Sequence, residues 1–175
     1  MSPQQHLRAA TRAAHDRVDA GFSSLDLANP VDYRRFLLAH AAAFVPIEAA
    51  LTTVGAARLV PDWDAQRRSD ALIADLATLG LDPPRPETAP DYADDAAIIG
   101  GLYVLEGSRL GGQMLKRQLA SGQPRGFLDA PQPAGRWRSI VAIIDQRLDG
   151  AAELAAATSA SLQTFAVFEL AGKWA

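Results

Sequence analysis

The sequence predicts an all-α single domain, and three observations carry that expectation. Apolar residues recur at helical spacing along most of the chain, the signals that divide it are helix starts and stops, and almost nothing alternates as a strand would. With 175 residues, 49% of them hydrophobic and 21% charged, one domain spanning 1–175 has enough apolar surface for a real core.

The elements follow in order. Ser2-Pro3-Gln4-Gln5 fits a capping box, with Ser2 as N-cap, Pro3 at the first helical position and Gln5 reaching back, so a first helix starts at Pro3 and ends near Ala20-Gly21. Asn29-Pro30 repeats that start signal. Tyr33, Phe36, Leu37, His40, Phe44 and Ile47 carry a second helix to about Leu51, with a kink expected at Pro46. A third helix runs from about Asp62 to Leu79 and stops at Gly80. LDPPRPETAPD is then an irregular surface loop. A glycine-rich helix spans about Asp91 to Ala120, SGQPRGFLDAPQPAG forms another loop, and two helices, about Arg136 to Leu148 and Ala151 to Lys173, finish the chain.

Charge and composition exclude several classes of function. A net charge of −3 gives no basic field for nucleic acid. The absence of cysteine removes disulfides, thiolate nucleophiles and cysteine-held metals, so any metal is met by His or oxygen. The N-terminal segment MSPQQHLRAATRAAHDR is polar, and the run Ala96 to Leu105 is too short to cross a bilayer. The expectation is a cytoplasmic protein with no membrane and no nucleic-acid partner.

Two helices carry candidate chemistry. On the first, Leu7, Thr11, Ala14, His15 and Val18 share one face, which places the His15 imidazole on the buried stripe. Arg8 precedes His15 by two turns, within roughly 20° of it around the axis and about 10 Å along it. A planar ligand whose metal is held by His15 would have an anionic edge at Arg8. The plainer alternative is a core histidine bonded to a carbonyl and a solvated arginine. On the glycine-rich helix, YVLEGSRLGGQMLKRQL, Gly107 and Gly111 stack on one face with Gly112 beside them. That strip of bare backbone suits either a flat molecule or a closely packed helix. Each exposed helical glycine costs roughly 0.5 to 1 kcal/mol against alanine. With Gly100 and Gly101 counted in, the local density favours a ligand. Glu106 and Arg109 turn away from that face and read as surface or interhelix charges. His6 reads as exposed and His40 as core. Trp63, Trp137 and the run Phe165, Phe168 and Trp174 read as core or cover, with Phe165 or Phe168 able to wall a pocket.

These residues resemble a haem oxygenase. The likeness covers LRAATRAAHDRVDAGF, DYRRFLLAHAAAFVPIEAAL, LYVLEGSRLGGQMLKRQL and the final FAVFELAGKW, and EGSRLGG is nearest in flavour to the bacterial forms associated with bacteriophytochromes. The resemblance implies that His15 ligates haem iron as the metal ligand, that Gly107, Gly111 and Gly112 lie across the opposite porphyrin face, and that Arg8 pairs with a propionate. A late-helix arginine, Arg136 or Arg138, would do likewise, with Arg138 preferred, and Phe168 would flank the cofactor. Where better-known members carry aspartate after the first distal glycine, this chain has Ser108, which would share the catalytic side with Gly107 and Gly111; Asp19 stands where a glutamate is frequent. The implied activity is oxidative opening of haem to biliverdin with release of CO and iron. It uses O2 and an electron donor such as ferredoxin or a reductase, with a bacteriophytochrome as biliverdin acceptor. Ser108 keeps open the alternative of a haem-binding or haem-sensing protein with little turnover.

Overall fold

The computed structural model describes residues 1–174, the Trp174 side chain excepted, which therefore lies outside the described residues. No strand occurs among them. The first helix, α1 (Pro3–Phe22), begins as its capping box dictates, with the Ser2 hydroxyl accepting from the Gln5 amide at 3.3 Å and the Gln5 side chain accepting from the Ser2 amide at 3.0 Å. Helix α2 (Pro30–Thr53) starts on Asn29, whose carbonyl side chain accepts from the Val31 amide, and continues helical through Pro46. The glycine-rich helix α5 (Asp95–Leu115) is shorter than its pattern implied. Asp94 caps it by accepting from the Ala97 amide at 2.8 Å, and a 3₁₀ turn over Lys116–Gln118 closes it. After a loop, α6 (Arg136–Arg147) follows Gly135, whose φ of +81° favours glycine, and α7 (Ala151–Ala171) ends the bundle.

One expected element is split. In place of a single helix from Asp62 to Leu79 there are α3 (Trp63–Gln66) and α4 (Ser69–Thr78), with Arg67 extended at φ −61°, ψ 145°. The cause comes from α2: the buried Glu48 carboxylate accepts from the Arg68 and Ser69 amides, both at 2.8 Å, and so caps α4 from outside. The break turns Arg68 inward, where its side chain is 5% exposed.

Packing puts α7 at the centre. It lies against α1, α2 and α5, while α2 also packs on α4. Leu7, Leu37, Phe44, Ile47, Leu51, Leu72, Leu76 and Ile144 are almost fully buried. Helices α2 and α7 are long and apolar enough to match a membrane span on composition, yet the buried share of their most apolar windows, 56% and 44%, is what core helices of a bundle show. The loop after α5 is tied down by Asp75, which accepts from the Gly126 and Phe127 amides at 3.0 and 2.8 Å and delivers Phe127 and Leu128 to the core.

The first two glycines of α5 belong to this packing. A Cβ on Gly100 would stand 2.3 Å from the Ala157 carbonyl oxygen of α7, and one on Gly101 would stand 2.6 Å from the Tyr92 ring. Ser161 of α7 donates to the Gly100 carbonyl at 3.0 Å. Gly100 and Gly101 therefore serve helix contact and add nothing to the case for a ligand.

Candidate functional site

His15 departs from the sequence expectation. Leu7, Thr11 and Ala14 form the buried stripe of α1, but the His15 side chain, one residue round the helix from Ala14, is 59% exposed. Its ring is nevertheless placed. Nδ1 lies 3.1 Å from an Asp19 carboxylate oxygen one turn on, and the ring meets Phe165 of α7 edge-on at 5.8 Å between centroids. With Nδ1–H donated to a carboxylate, the lone pair of the neutral ring is on Nε2. Among the described residues Nε2 has no hydrogen-bond partner. Arg8, two turns back, is exposed and has no carboxylate within ion-pair distance among the described residues.

The second half of α5 supplies a bare ridge. A Cβ on Gly111 would meet nothing within 4 Å, and one on Gly107 would meet only the outer edge of Trp137 at 3.8 Å. Unlike Gly100, neither is pressed by backbone, and Gly111 faces open space. Alongside them Ser108 is exposed, yet its hydroxyl is fully engaged on one side. It donates to the Leu105 carbonyl at 2.6 Å and accepts from Arg68 Nη2 at 2.8 Å, which also donates to Leu105 at 2.8 Å. The Arg68 guanidinium lies over the Phe44 and Phe127 rings, 4.6 and 5.2 Å from their centroids. Burial, and then Arg109, push its pKa down to about 9, which still leaves a cation at neutral pH.

Behind the ridge the helix is held by charge. Glu106, 2% exposed, accepts from Arg109 Nε at 3.0 Å and from Arg136 Nε and Nη2 at 3.1 and 3.0 Å; Arg136 also pairs with Asp62, and Arg109 donates to the Gln66 carbonyl. Burial opposes the Arg136 charge, but Glu106 and Asp62 more than offset it, so its pKa rises. Glu106 and Arg109 are thus buried interhelix charges. His40 sits between Phe22, Phe36, Phe127 and Phe168 with Nδ1 2.9 Å from the Phe36 carbonyl, and burial lowers its pKa to about 4. It is neutral and structural. His6 is half-buried.

No protein-family model matches the chain. It is 40% identical over 114 residues to a haem oxygenase of Xanthomonas campestris, covering 61% of this chain and 67% of that protein. It is 32% identical over 151 residues to the haem oxygenase PigA of Pseudomonas aeruginosa, covering 81% and 76%. The chain belongs to the haem oxygenase family. The fold agrees: the NO- and CO-bound haem oxygenase of Neisseria meningitidis superposes with a TM-score of 0.81 at 24% identity, over 99% of this chain and 91% of that one. A haem oxygenase of Leptospira interrogans gives 0.79 at 20%, over 98% of both.

Against the haem oxygenase pattern, the expected residues divide. His15, Arg8, Gly111 and Ser108 stand at open surface and Gly107 is half-buried beside Trp137; Gly112 is not open. It is buried, with Leu128 of the loop after α5 3.7 Å from where its Cβ would stand. Phe168 is 5% exposed among His40 and Phe44, because its place on α7 faces α2; Phe165 is the ring that reaches His15. Arg136 is consumed by Glu106 and Asp62, leaving Arg138 exposed and, among the described residues, without an ion-pair partner. Arg68 escaped the sequence reading, since nothing local marks the helix break that turns it inward. A surface pocket of about 180 Å³ between Val60–Asp62 and α6 is lined by none of these open residues. No cluster of three or more His, Cys, Asp or Glu side chains is placed to hold a metal directly among the described residues.

Proposed function

We propose that the protein is a haem oxygenase that opens haem to biliverdin, releasing CO and iron, with haem held between His15 of α1 and the Gly107–Gly111 ridge of α5. The supporting observation is the pairing of two features: an imidazole whose Nε2 has no hydrogen-bond partner among the described residues, and a side-chain-free helix face that is open at Gly111 and touched only by the edge of Trp137 at Gly107. A planar tetrapyrrole fits that pair, because its iron takes a neutral imidazole and its flat face tolerates close backbone. Bound haem supplies the reactivity toward O2 when an external donor reduces it.

The protein's own residues position and restrict. Asp19 and Phe165 set the His15 ring, and Asp19, one methylene shorter than glutamate, still reaches Nδ1. Arg8, on the same face about 10 Å along the helix, pairs with a propionate, and Arg138 is the second candidate for that contact. Gly107 and Gly111 let the plane approach α5, and Trp137 bounds the ridge at Gly107. Ser108 is the polar group on the distal side. A cytoplasmic setting, a ferredoxin or reductase as donor and a bacteriophytochrome as biliverdin acceptor complete the proposal.

Hemin titration of the wild type and of His15→Ala tests it. The wild type gives a sharp low-spin or mixed-spin spectrum that is lost or strongly altered in the variant; identical spectra remove His15 as the ligand. Because Ser108 replaces a carboxylate, a haem-binding protein with little turnover is the second reading. Ascorbate-driven reaction separates the two: bilin absorbance supports the oxygenase, and a persistent Soret band without it supports the binder.

A further inference from the structure

We infer that Arg68 is a positioning residue that acts through Ser108, holding its hydroxyl as an acceptor toward the haem cleft; this rests on the haem-oxygenase reading. A serine hydroxyl has one proton and two lone pairs. Here the proton is committed, because Ser108 donates to the Leu105 carbonyl at 2.6 Å, and one lone pair is committed, because Arg68 Nη2 donates to it at 2.8 Å. Arginine only donates and a carbonyl only accepts, so neither direction is ambiguous. What remains on Ser108 is a single lone pair. In this respect the hydroxyl is locked as a carboxylate oxygen would be: it accepts and does not donate.

The side chain that imposes the lock is costly to keep. Arg68 is 5% exposed, no carboxylate lies within ion-pair distance of its guanidinium among the described residues, and its Nε–H has no hydrogen-bond partner. Glu48 is spent on the Arg68 and Ser69 amides. A buried cation without a partner is destabilising, and two aromatic faces offset only part of that. Simple packing needs no such group. At 100° per residue Ser108 stands about 60° around α5 from Gly111, at the margin of the ridge. An acceptor fixed there holds a water by one of its protons and leaves the other to be donated toward a ligand on the iron.

Fluoride binding to the ferric hemin complex tests this, since fluoride at the iron accepts a hydrogen bond and cannot donate one. Ser108→Ala, at an exposed helical position, is expected to weaken fluoride about tenfold, the worth of one hydrogen bond to a charged group, with a shift in the fluoride complex's visible spectrum. Ser108→Thr restores both by keeping the hydroxyl. Arg68→Met weakens fluoride to a similar degree, and the double variant Arg68→Met/Ser108→Ala is no weaker than either single one. Wild-type affinity in Ser108→Ala or in Arg68→Met overturns the inference, as does a double variant weaker than both single ones, which would show that the charge acts without the hydroxyl. If Arg68→Met does not fold, Arg68→Gln, which is too short to reach Ser108 as the guanidinium does, takes its place with the same expected weakening. A wild type that takes up no hemin at His15 overturns the proposed function itself, whereas a normal His15-dependent spectrum with fluoride insensitive to Ser108 overturns only this step.

Discussion

In the N-terminal half of α5, a Cβ on Gly100 would press to 2.3 Å from the Ala157 carbonyl; in the C-terminal half, a Cβ on Gly111 would meet nothing within 4 Å. The two residues share a helix and a residue type, and at 100° per residue, eleven positions put them within about 20° of one face. What differs is the neighbour. Helix α7 covers the first half so closely that Ser161 reaches the Gly100 carbonyl, whereas no α7 atom comes within 4 Å of where a Cβ on Gly107 or Gly111 would stand. Glycine in the first place permits contact between helices; in the second it keeps a space open. The open half has lost α7 as a support, and Glu106 with its two arginines holds it from the opposite side.

That division gives the largest expected effect. Glu106→Gln keeps the shape of the side chain and removes the charge between two buried guanidiniums, which should cost about 3 to 5 kcal/mol in urea unfolding at neutral pH. A loss below about 1 kcal/mol would mean that Asp62 and water already satisfy the arginines, and that the open half of α5 is anchored by something else. Replacing such a triad wholesale with apolar residues is a different experiment, because it leaves no charge uncompensated.

Next is the packed half. Gly100→Ala adds one methyl group against backbone, which has no flexible end to yield, so α5 and α7 must separate locally. Overpacking of this kind costs roughly 1 to 3 kcal/mol, opposite in sign to the usual gain from removing a helical glycine. Thermal unfolding measures it; a variant as stable as the wild type would show that the two helices slide apart freely. Gly101→Ala should behave similarly, moderated by rotation of the Tyr92 ring, whose hydroxyl donates to Thr164 at 2.9 Å.

The sequence made most of the scaffold legible because its signals are local. Ser2, Asn29 and Gly135 mark helix starts by chemistry that acts within four residues, and the 3.6-residue spacing of Tyr33, Phe36, Leu37 and Phe44 names the core face of α2. What stayed hidden depends on contacts distant in the chain. Glu48 breaks the helix at Arg67–Arg68 from 20 residues away, and that break creates the Arg68–Ser108 bond 40 residues further on. Periodicity misjudged His15 for a related reason: how wide a buried stripe is depends on the neighbour that covers it, and the covered stripe of Leu7, Thr11, Ala14 and Val18 leaves His15 at its margin. The same blindness joined Gly100 and Gly101 to a ligand argument that belongs to Gly107 and Gly111.

The smallest effect is the most discriminating. Gly111→Ala places a methyl group where the structure has nothing, on an exposed helical face. Helix propensity alone should then stabilise the protein by about 0.5 to 1 kcal/mol, seen as a raised urea midpoint without hemin. If the ridge is where a tetrapyrrole rests, the same methyl group stands between backbone and ring. Hemin affinity should fall, or the bound spectrum shift, in a protein that is more stable than its parent. Opposite signs in stability and binding cannot come from damage to the fold, since damage lowers both. Equal hemin affinity in Gly111→Ala would leave the open half of α5 bare for no reason connected with haem, and the contrast with Gly100 would then be one of packing alone.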